Sequence, residues 1–258
     1  MKNYPEWLHL LAWSYIVLCL CGAMWISVDI LRGNKQKMWI MHIVWPVTAL
    51  YFGPLAVWMY FRTRAVSRAG SAQPDEEVRR QMKASNPTAE QIMVAVFHCG
   101  AGCTVGDLMG EAGLFAIGGS VAAFVGGSEF GTKLLVDFVL AYVLGIFFQY
   151  FTIAPMRSLS FSKGIVAAMR ADTMSISSFE VGMFAWMGFT RFVLFPEPGR
   201  IYPNMVVFWF MMQIAMMVGC ATSFPANSWL LRKRWKETMP MYPSIRSMKH
   251  HRLGTNAA

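Results

Sequence analysis

The feature that most constrains this chain is a series of apolar segments, each about 20 residues or longer, separated by short polar stretches. Such a segment is long enough for an α-helix to cross the hydrocarbon core of a bilayer. Because the core offers backbone polar groups no partner, a spanning segment of this kind must be helical. The sequence therefore predicts an all-α membrane bundle of about six transmembrane helices. The segments are 7–30, 38–61, 91–126, 134–154, 175–195 and 201–224.

The charged residues are few, and their positions argue against other classes of protein. Only 14% of the residues are charged and 55% are hydrophobic, whereas soluble domains carry about a quarter charged residues. The net charge of +9 comes from Lys and Arg between and after the apolar segments, where a bilayer places them. No zinc-finger, helix-turn-helix or RNA-binding pattern is present, so nucleic acid is not an expected partner. The five cysteines lie within apolar segments, which argues against a secreted disulfide framework.

The order of segments predicts four parts. They are a two-helix membrane segment (1–61), a polar cytoplasmic loop (62–90), a four-helix membrane domain (91–240) and a flexible cytoplasmic tail (241–258). With six crossings, the side that holds this loop and both termini collects 17 Lys and Arg residues and the opposite side 5. The positive-inside rule then predicts a multi-pass protein of the cell inner membrane with both termini in the cytoplasm. A short amphipathic segment, 161–171, is expected before the fifth span, and glycines at 110, 113, 118 and 119 predict that the third segment is broken or has a protruding end.

Four chemistry-bearing residues are spaced by four in the third segment: Cys99, Cys103, Asp107 and Glu111. On a helix this spacing forms a gently spiralling stripe about 18 Å long. Thiols and carboxylates are costly in lipid, so the stripe is expected to face the bundle interior and to line an ion or proton path. His98 lies about 100° away around the helix, so it need not join the Cys pair.

A purely structural explanation also fits part of this segment. Gly102, Gly106 and Gly110 form a second stripe of small residues, which is typical of close helix crossings in membranes. Cysteine is likewise a small and easily buried residue. Such a crossing accounts for the glycines and cysteines without a ligand, but it does not account for Asp107 and Glu111.

The sixth segment repeats the spacing of four with soft side chains at Met212, Met216 and Cys220. Thioethers and thiolates suit Cu(I), although Met also fills gaps in apolar cores. We place these three residues on the expected transport path, together with Glu111, Asp172 and Glu180.

Arg191 lies in the fifth segment and needs a counter-ion there. Glu111 is expected at a similar depth, so the sequence predicts a structural ion pair between these two residues. Asp137 is expected to reach the outer interface. Asp172 and Glu180 flank the inner start of the fifth span, where a helix N-terminus favours acidic groups.

Three stretches resemble an uncharacterised bacterial integral-membrane family known only as a domain of unknown function. They are HCGAGCTVGDLMGE (98–111), RADTMSISSFEVGM (170–183) and TSFPANSWLLRKRWKE (222–237). The resemblance covers about residues 85–240, and HCGAGC with the following GD is its most specific part. It implies a multi-helix membrane domain but no established activity or ligand. By matching position it singles out the following residues: His98, Cys99, Cys103, Asp107, Asp172 and Glu180.

Three functions remain open at this stage. The leading hypothesis is transport or handling of a metal ion, Cu(I) or Zn(II), with Cys99, Cys103, Asp107 and His98 as candidate ligands. The second is a non-catalytic accessory or assembly subunit, with the bilayer and either a membrane-protein partner or a homo-oligomer as partners. The third is a haem-bearing membrane oxidoreductase, in which His9 and His98 share the cytoplasmic third of the bilayer. No nucleotide loop, nucleophile elbow or HExxH helix is present, so we assign no catalytic residue and do not favour an enzyme.

Overall fold

The computed structural model describes residues 5–34, 36, 38–70, 86–117, 129–196 and 201–236. Within these residues the chain forms seven α-helices and no strand, which confirms the predicted all-α class. A π-helical turn, Thr190–Leu194, follows the sixth helix. The helices are α1 (Glu6–Leu31), α2 (Met41–Phe52), α3 (Pro54–Gly70), α4 (Ala89–Ile117), α5 (Glu129–Arg157), α6 (Phe161–Phe189) and α7 (Val206–Arg232).

Four of the described helices, α1, α4, α5 and α7, are long and apolar enough to cross a membrane. Helix α6 is as long, with 29 residues, but carries four charged side chains. At 1.5 Å per residue it measures about 43 Å, so its first turns extend beyond a core of about 30 Å. The amphipathic segment 161–171 and the fifth span 175–195 were predicted separately, and they are parts of this one helix.

The second predicted span is a helical hairpin. Helix α2 ends at Phe52, Gly53 adopts a positive φ of 51°, and α3 begins at Pro54. The indole of Trp45 in α2 packs edge-on against the ring of Tyr60 in α3, with the centroids 5.8 Å apart. Residues on either side of Gly53 thus face each other, and the chain reverses direction there.

Contacts with α1 show where the hairpin returns. As the chain advances from Phe61 to Arg64 in α3, its partners advance from Trp25 to Asp29 in α1. Helix α3 therefore runs parallel to α1 and comes back to the end of the bundle where α1 finishes. Each arm of the hairpin reaches about half the depth of the bundle, since α2 has only 12 residues.

The hairpin changes the expected topology. Leu8 near the start of α1 packs with Val207 near the start of α7, so Glu6 and Arg232 lie at opposite ends of the bundle. The predicted six crossings would put the start of the first helix and the end of the last at the same end, whereas the described helices put them at opposite ends. Five helices, α1, α4, α5, α6 and α7, run the length of the bundle, and the hairpin fills the sixth position.

Side chains from other helices satisfy the backbone at the hairpin tip. Pro54 has no N–H, so it cannot donate to the carbonyl of Leu50 four residues earlier. The amide of Gln213 in α7 donates to this carbonyl at 2.6 Å. The hydroxyl of Tyr15 in α1 donates to the carbonyl of Tyr51 at 2.8 Å. Irregular backbone at this depth is tolerated because it is buried in protein and its polar groups are paired.

The boundaries of two other predicted regions also change. The polar loop 62–90 begins as the continuation of α3 to Gly70, and α4 begins at Ala89. Helix α4 continues unbroken through Gly110 and Gly113 to Ile117, so the break expected there is absent. Residues 71–85, the glycines at 118 and 119, and the predicted tail 241–258 lie outside the described residues.

Candidate functional site

The stripe on α4 faces the interior of the bundle. Cys99, Cys103 and Asp107 have no exposed surface, and Glu111 is 2% exposed. The position of α4 at the centre of the bundle explains this burial, because the helix packs against α2, α5, α6 and α7.

The glycine stripe of α4 lies against α5. A Cβ atom on Gly102 would lie 2.9 Å from the Cα atom of Gly145, and one on Gly106 would overlap the backbone of Ala141. The two helices approach this closely only because these positions have no side chain. Helix packing therefore accounts for the glycines, as the structural explanation expected.

Carboxylates from three helices gather beside this crossing. The side chain of Asp137 in α5 occupies space left by Gly110, where a Cβ atom would overlap its Oδ1. Asp107 in α4 lies within electrostatic reach of Asp137, of Glu180 in α6 and of Glu111. Asp137 and Glu180 are 3% and 1% exposed, so the group is closed to solvent. Asp137, which was expected at the outer interface, is thus a member of the buried group.

These carboxylates have few partners. The thiol of Cys103 lies within hydrogen-bonding reach of Glu180. No described residue donates a hydrogen bond to either oxygen of Asp107 or to Oδ1 of Asp137. Buried polar groups in native proteins are almost always hydrogen-bonded, and unpaired buried charges are strongly unfavourable. A bound cation, of which the proton is the smallest, would compensate this group.

Glu111 is paired, but not with the predicted partner. The ammonium of Lys133 in α5 lies 2.6 Å from its carboxylate and 4.6 Å from the ring centroid of Phe208. Arg191 instead donates to the carbonyl of Pro196 at 3.4 Å. The predicted Arg191–Glu111 ion pair is thus not formed. Arg191 lies in the π-helical turn, which changes the direction in which its side chain leaves the helix.

Four thiols lie near the hairpin tip: that of Cys19 in α1 lies against Gly53, and those of Cys99, Cys103 and Cys220 lie between α4 and α7. The thiol of Cys220 in α7 donates to the hydroxyl of Tyr51 at 3.8 Å, and both groups lie close to Gly100 of α4. Cys99 and Cys103 flank this position and are buried in the same core. Helix α7 therefore packs on α4 at Cys220, as the metal hypothesis required.

Among the other candidate ligands, His98 has a partner of its own, and the two methionines share the core that holds the thiols. Met212 and Met216 are buried in the same core, while His98 bonds with the hydroxyl of Thr152 in α5 at 3.1 Å. Among the residues described, no three His, Cys, Asp or Glu side chains come close enough together to hold a metal ion.

The two histidines of the haem hypothesis lie far apart along the bundle. His9 is in the first turn of α1, at the end where α7 begins. The Arg62–Glu90 ion pair joins the start of α4 to α3, the returning arm of the hairpin, so α4 starts at the opposite end of the bundle. His98 lies in the first half of α4 and is therefore nearer that opposite end. The expectation that these residues share one third of the bilayer is therefore wrong, since it depended on α1 running the other way.

A second polar network lies near the end of the bundle where α7 finishes. Lys236 follows α7, is fully buried, and pairs with Asp172 of α6 at 2.5 Å. Its ammonium also donates to Oδ1 of Asn227 at 2.7 Å, and the Asn227 amide donates to the hydroxyl of Ser175 at 2.6 Å. Asp172 was singled out from the sequence, but its partners were not. Nothing in the basic run 232–236 distinguishes Lys236 from its exposed neighbours.

The fold and the buried groups define a multi-pass helical membrane protein with ionisable side chains inside the bundle. A family model for a domain of unknown function, DUF4396, matches residues 88–236, and the chain belongs to this family. The match begins at the start of α4, so α1 and the hairpin lie outside it, while all the buried carboxylates lie within it. No curated protein and no solved structure matches the chain.

Proposed function

We propose that this protein moves a cation, most simply the proton, across the membrane through the carboxylates of Asp107, Asp137 and Glu180. The observation that supports this function is that these three groups come from three helices, lie within electrostatic reach of one another, are buried, and have few hydrogen-bond donors. Ionisable residues inside a membrane bundle commonly mark ion and proton paths. A cation that passes from one carboxylate to the next would neutralise each of them, which would remove the unfavourable energy of the buried charges.

Further ionisable residues extend the proposed path towards both ends of the bundle. Asp172 and Glu180 lie eight residues apart on α6, about 12 Å along the helix and on the same face. On the other side of the carboxylate group, Glu111 and Lys133 form the next charged pair. In the proposed path a cation passes between these pairs by way of the central carboxylates.

The distribution of positive charge supports an orientation. Eleven of the thirteen described Lys and Arg residues lie at the end where α7 finishes. By the positive-inside rule we propose that this end faces the cytoplasm, with the start of α1 on the other side. The two exceptions are Lys133 and Arg191. The eleven are Arg32, Arg62, Arg64, Arg68, Arg157, Lys163, Arg170, Arg232, Lys233, Arg234 and Lys236.

Transport of Cu(I) or Zn(II) is the narrower form of this proposal. The thiols of Cys99 and Cys103, one turn apart on α4 and beside Cys220, favour it because thiolates bind soft and borderline cations. In this form the thiols bind the metal ion and the carboxylates receive it.

A non-catalytic subunit is the second candidate. The close contact of Gly102 and Gly106 with α5 favours it, because helix locking alone explains that part of the family's most specific segment. A function as a non-catalytic subunit gives no role to the carboxylates of Asp107 and Glu180.

Ion flux into vesicles tests these functions. The purified protein is reconstituted with a trapped pH dye, and a potassium gradient with valinomycin drives proton entry. Glu180→Gln is expected to slow entry at least about tenfold, equivalent to about 1.4 kcal/mol of barrier. The matched control is Glu90→Gln, since Glu90 pairs with Arg62 outside the path, and it is expected to retain the wild-type rate.

Parallel vesicles with dyes for Cu(I) and Zn(II) test the metal form. Metal entry that Cys99→Ser and Cys103→Ser abolish would support it. Wild-type vesicles that admit protons and both metals no faster than empty vesicles would overturn transport, and the subunit function would then lead.

A further inference from the structure

After α7 the chain forms a short hook, residues 233–236, that folds back onto the bundle. Arg234 adopts a positive φ of 56°, which turns the chain, and Lys236 then enters the protein to pair with Asp172. Because Lys236 is fully buried and Asn227 accepts a second hydrogen bond from it, the hook is fixed at its far end. Between the end of α7 and Lys236, the side chain of Trp235 is held against the bundle by Arg170 and Trp229.

The hook presents an aromatic and cationic cluster. The guanidinium of Arg170 in α6 stacks over the indole of Trp235 at 4.6 Å from the ring centroid. Trp229 in α7 packs edge-on against Trp235, with the centroids 5.2 Å apart. Both indoles remain about 40% exposed, so each has one face in the protein and one outside it.

The cluster carries an excess of positive charge. The exposed cations near it are Arg170, Arg232, Lys233 and Arg234. The carboxylates described at this end are each already paired with a different cation. These pairs are Asp29–Arg64, Glu90–Arg62 and Asp172–Lys236.

The lengths of the helices place the cluster, we infer, at the depth of the lipid headgroups. Arg170 is nine residues from the start of α6, about 14 Å along a helix that is itself about 13 Å longer than the hydrocarbon core. Trp229 lies within one turn of the end of α7. Exposed Trp side chains are typical of the membrane–water interface.

We propose that Arg170, Trp235, Lys233 and Arg234 form a binding site for the headgroup phosphate of an anionic phospholipid in the leaflet at this end. The Arg170 guanidinium lies over the Trp235 indole, and its planar set of N–H donors matches the geometry of a phosphate. The indoles contact the glycerol and upper acyl region, and Lys233 and Arg234 attract the anionic headgroup. The site is independent of the proposed ion transport.

Lipid titration tests the site. The purified protein in a neutral detergent is titrated with phosphatidylglycerol or phosphatidylcholine, and bound lipid is counted by native mass spectrometry. Arg170→Gln is expected to weaken phosphatidylglycerol binding about fivefold, the effect of one cation beside an anionic headgroup. Arg32→Gln removes the same charge at the same end, from the end of α1, and is expected to leave binding unchanged.

Arg170→Lys separates a built site from general attraction, and it keeps the charge if the Gln variant fails to fold. It loses the planar fork, so we expect weaker binding than in the wild type. Equal binding by Arg170→Lys and wild type, an equal loss in Arg170→Gln and Arg32→Gln, or equal binding of the two lipids would each overturn the proposal.

Discussion

The buried ion pair between Lys236 and Asp172 leads to a quantitative prediction about stability. Neither side chain has exposed surface, and the ammonium also holds the Asn227 carbonyl oxygen. Lys236→Met leaves a buried carboxylate without its cation, and such a loss costs about 3–5 kcal/mol. Asp172→Asn leaves a buried ammonium in the same position and is expected to cost a similar amount.

The double variant, Lys236→Met with Asp172→Asn, should be more stable than either single variant. With both charges removed no lone ion remains, and replacing a buried pair by uncharged side chains is often near neutral. We expect a coupling free energy of at least about 2 kcal/mol between the two sites, in the sense that the second substitution recovers stability lost in the first.

Thermal unfolding in detergent, followed as the fraction of protein that still elutes as a single species after heating, measures these effects. Each single variant is expected to unfold about 6–20 °C below the wild type, taking the loss of about 3–5 kcal/mol at about 2–4 °C per kcal/mol. If each single variant loses less than about 1 kcal/mol, or if the losses in the double variant add, then Lys236 does not anchor the hook.

Three other substitutions or fusions test the fold. Gln213→Leu removes the donor to the Leu50 carbonyl and is expected to cost about 1–3 kcal/mol, measured by the same thermal assay. Gly106→Ala places a methyl group against Ala141 and is expected to cost about 3 kcal/mol or more, whereas Gly113→Ala, where a Cβ atom has open space, is expected to unfold like the wild type. Reporter fusions before α1 and after the hook are expected to be active on opposite sides of the membrane, and activity on the same side would contradict the hairpin.

The membrane class could be predicted from the sequence because apolar length alone carries the signal. The same signal failed to resolve 38–61, since an apolar segment of that length fits either one crossing or a hairpin buried within the bundle. The deciding interactions are distant in sequence. The amide that satisfies Leu50 belongs to Gln213, 163 residues away.

Part of the site followed from helix periodicity and part did not. The spacing of Cys99, Cys103 and Asp107 places them on one face of any helix, so their common burial was predictable. Asp137 joins this group through the crossing of α4 with α5, which a single sequence does not specify. Two cations, Lys133 and Arg191, likewise lie near the same end of the bundle as Glu111. The directions of their side chains decide that Lys133 pairs with Glu111, and these directions cannot be read from the sequence.

The carboxylate group itself offers the most direct test of the proposed path. Hydrophobic carbodiimides react with neutral carboxyl groups in apolar surroundings, so reaction at Asp107, Asp137 or Glu180 would report a compensated carboxyl inside the bundle. Peptide mass mapping locates the label, and vesicle proton flux is measured at each extent of labelling. We expect a single label at one of these three residues and a loss of flux in proportion to it. Full labelling there with wild-type flux, or flux lost through a label elsewhere in the chain, would contradict the proposed path.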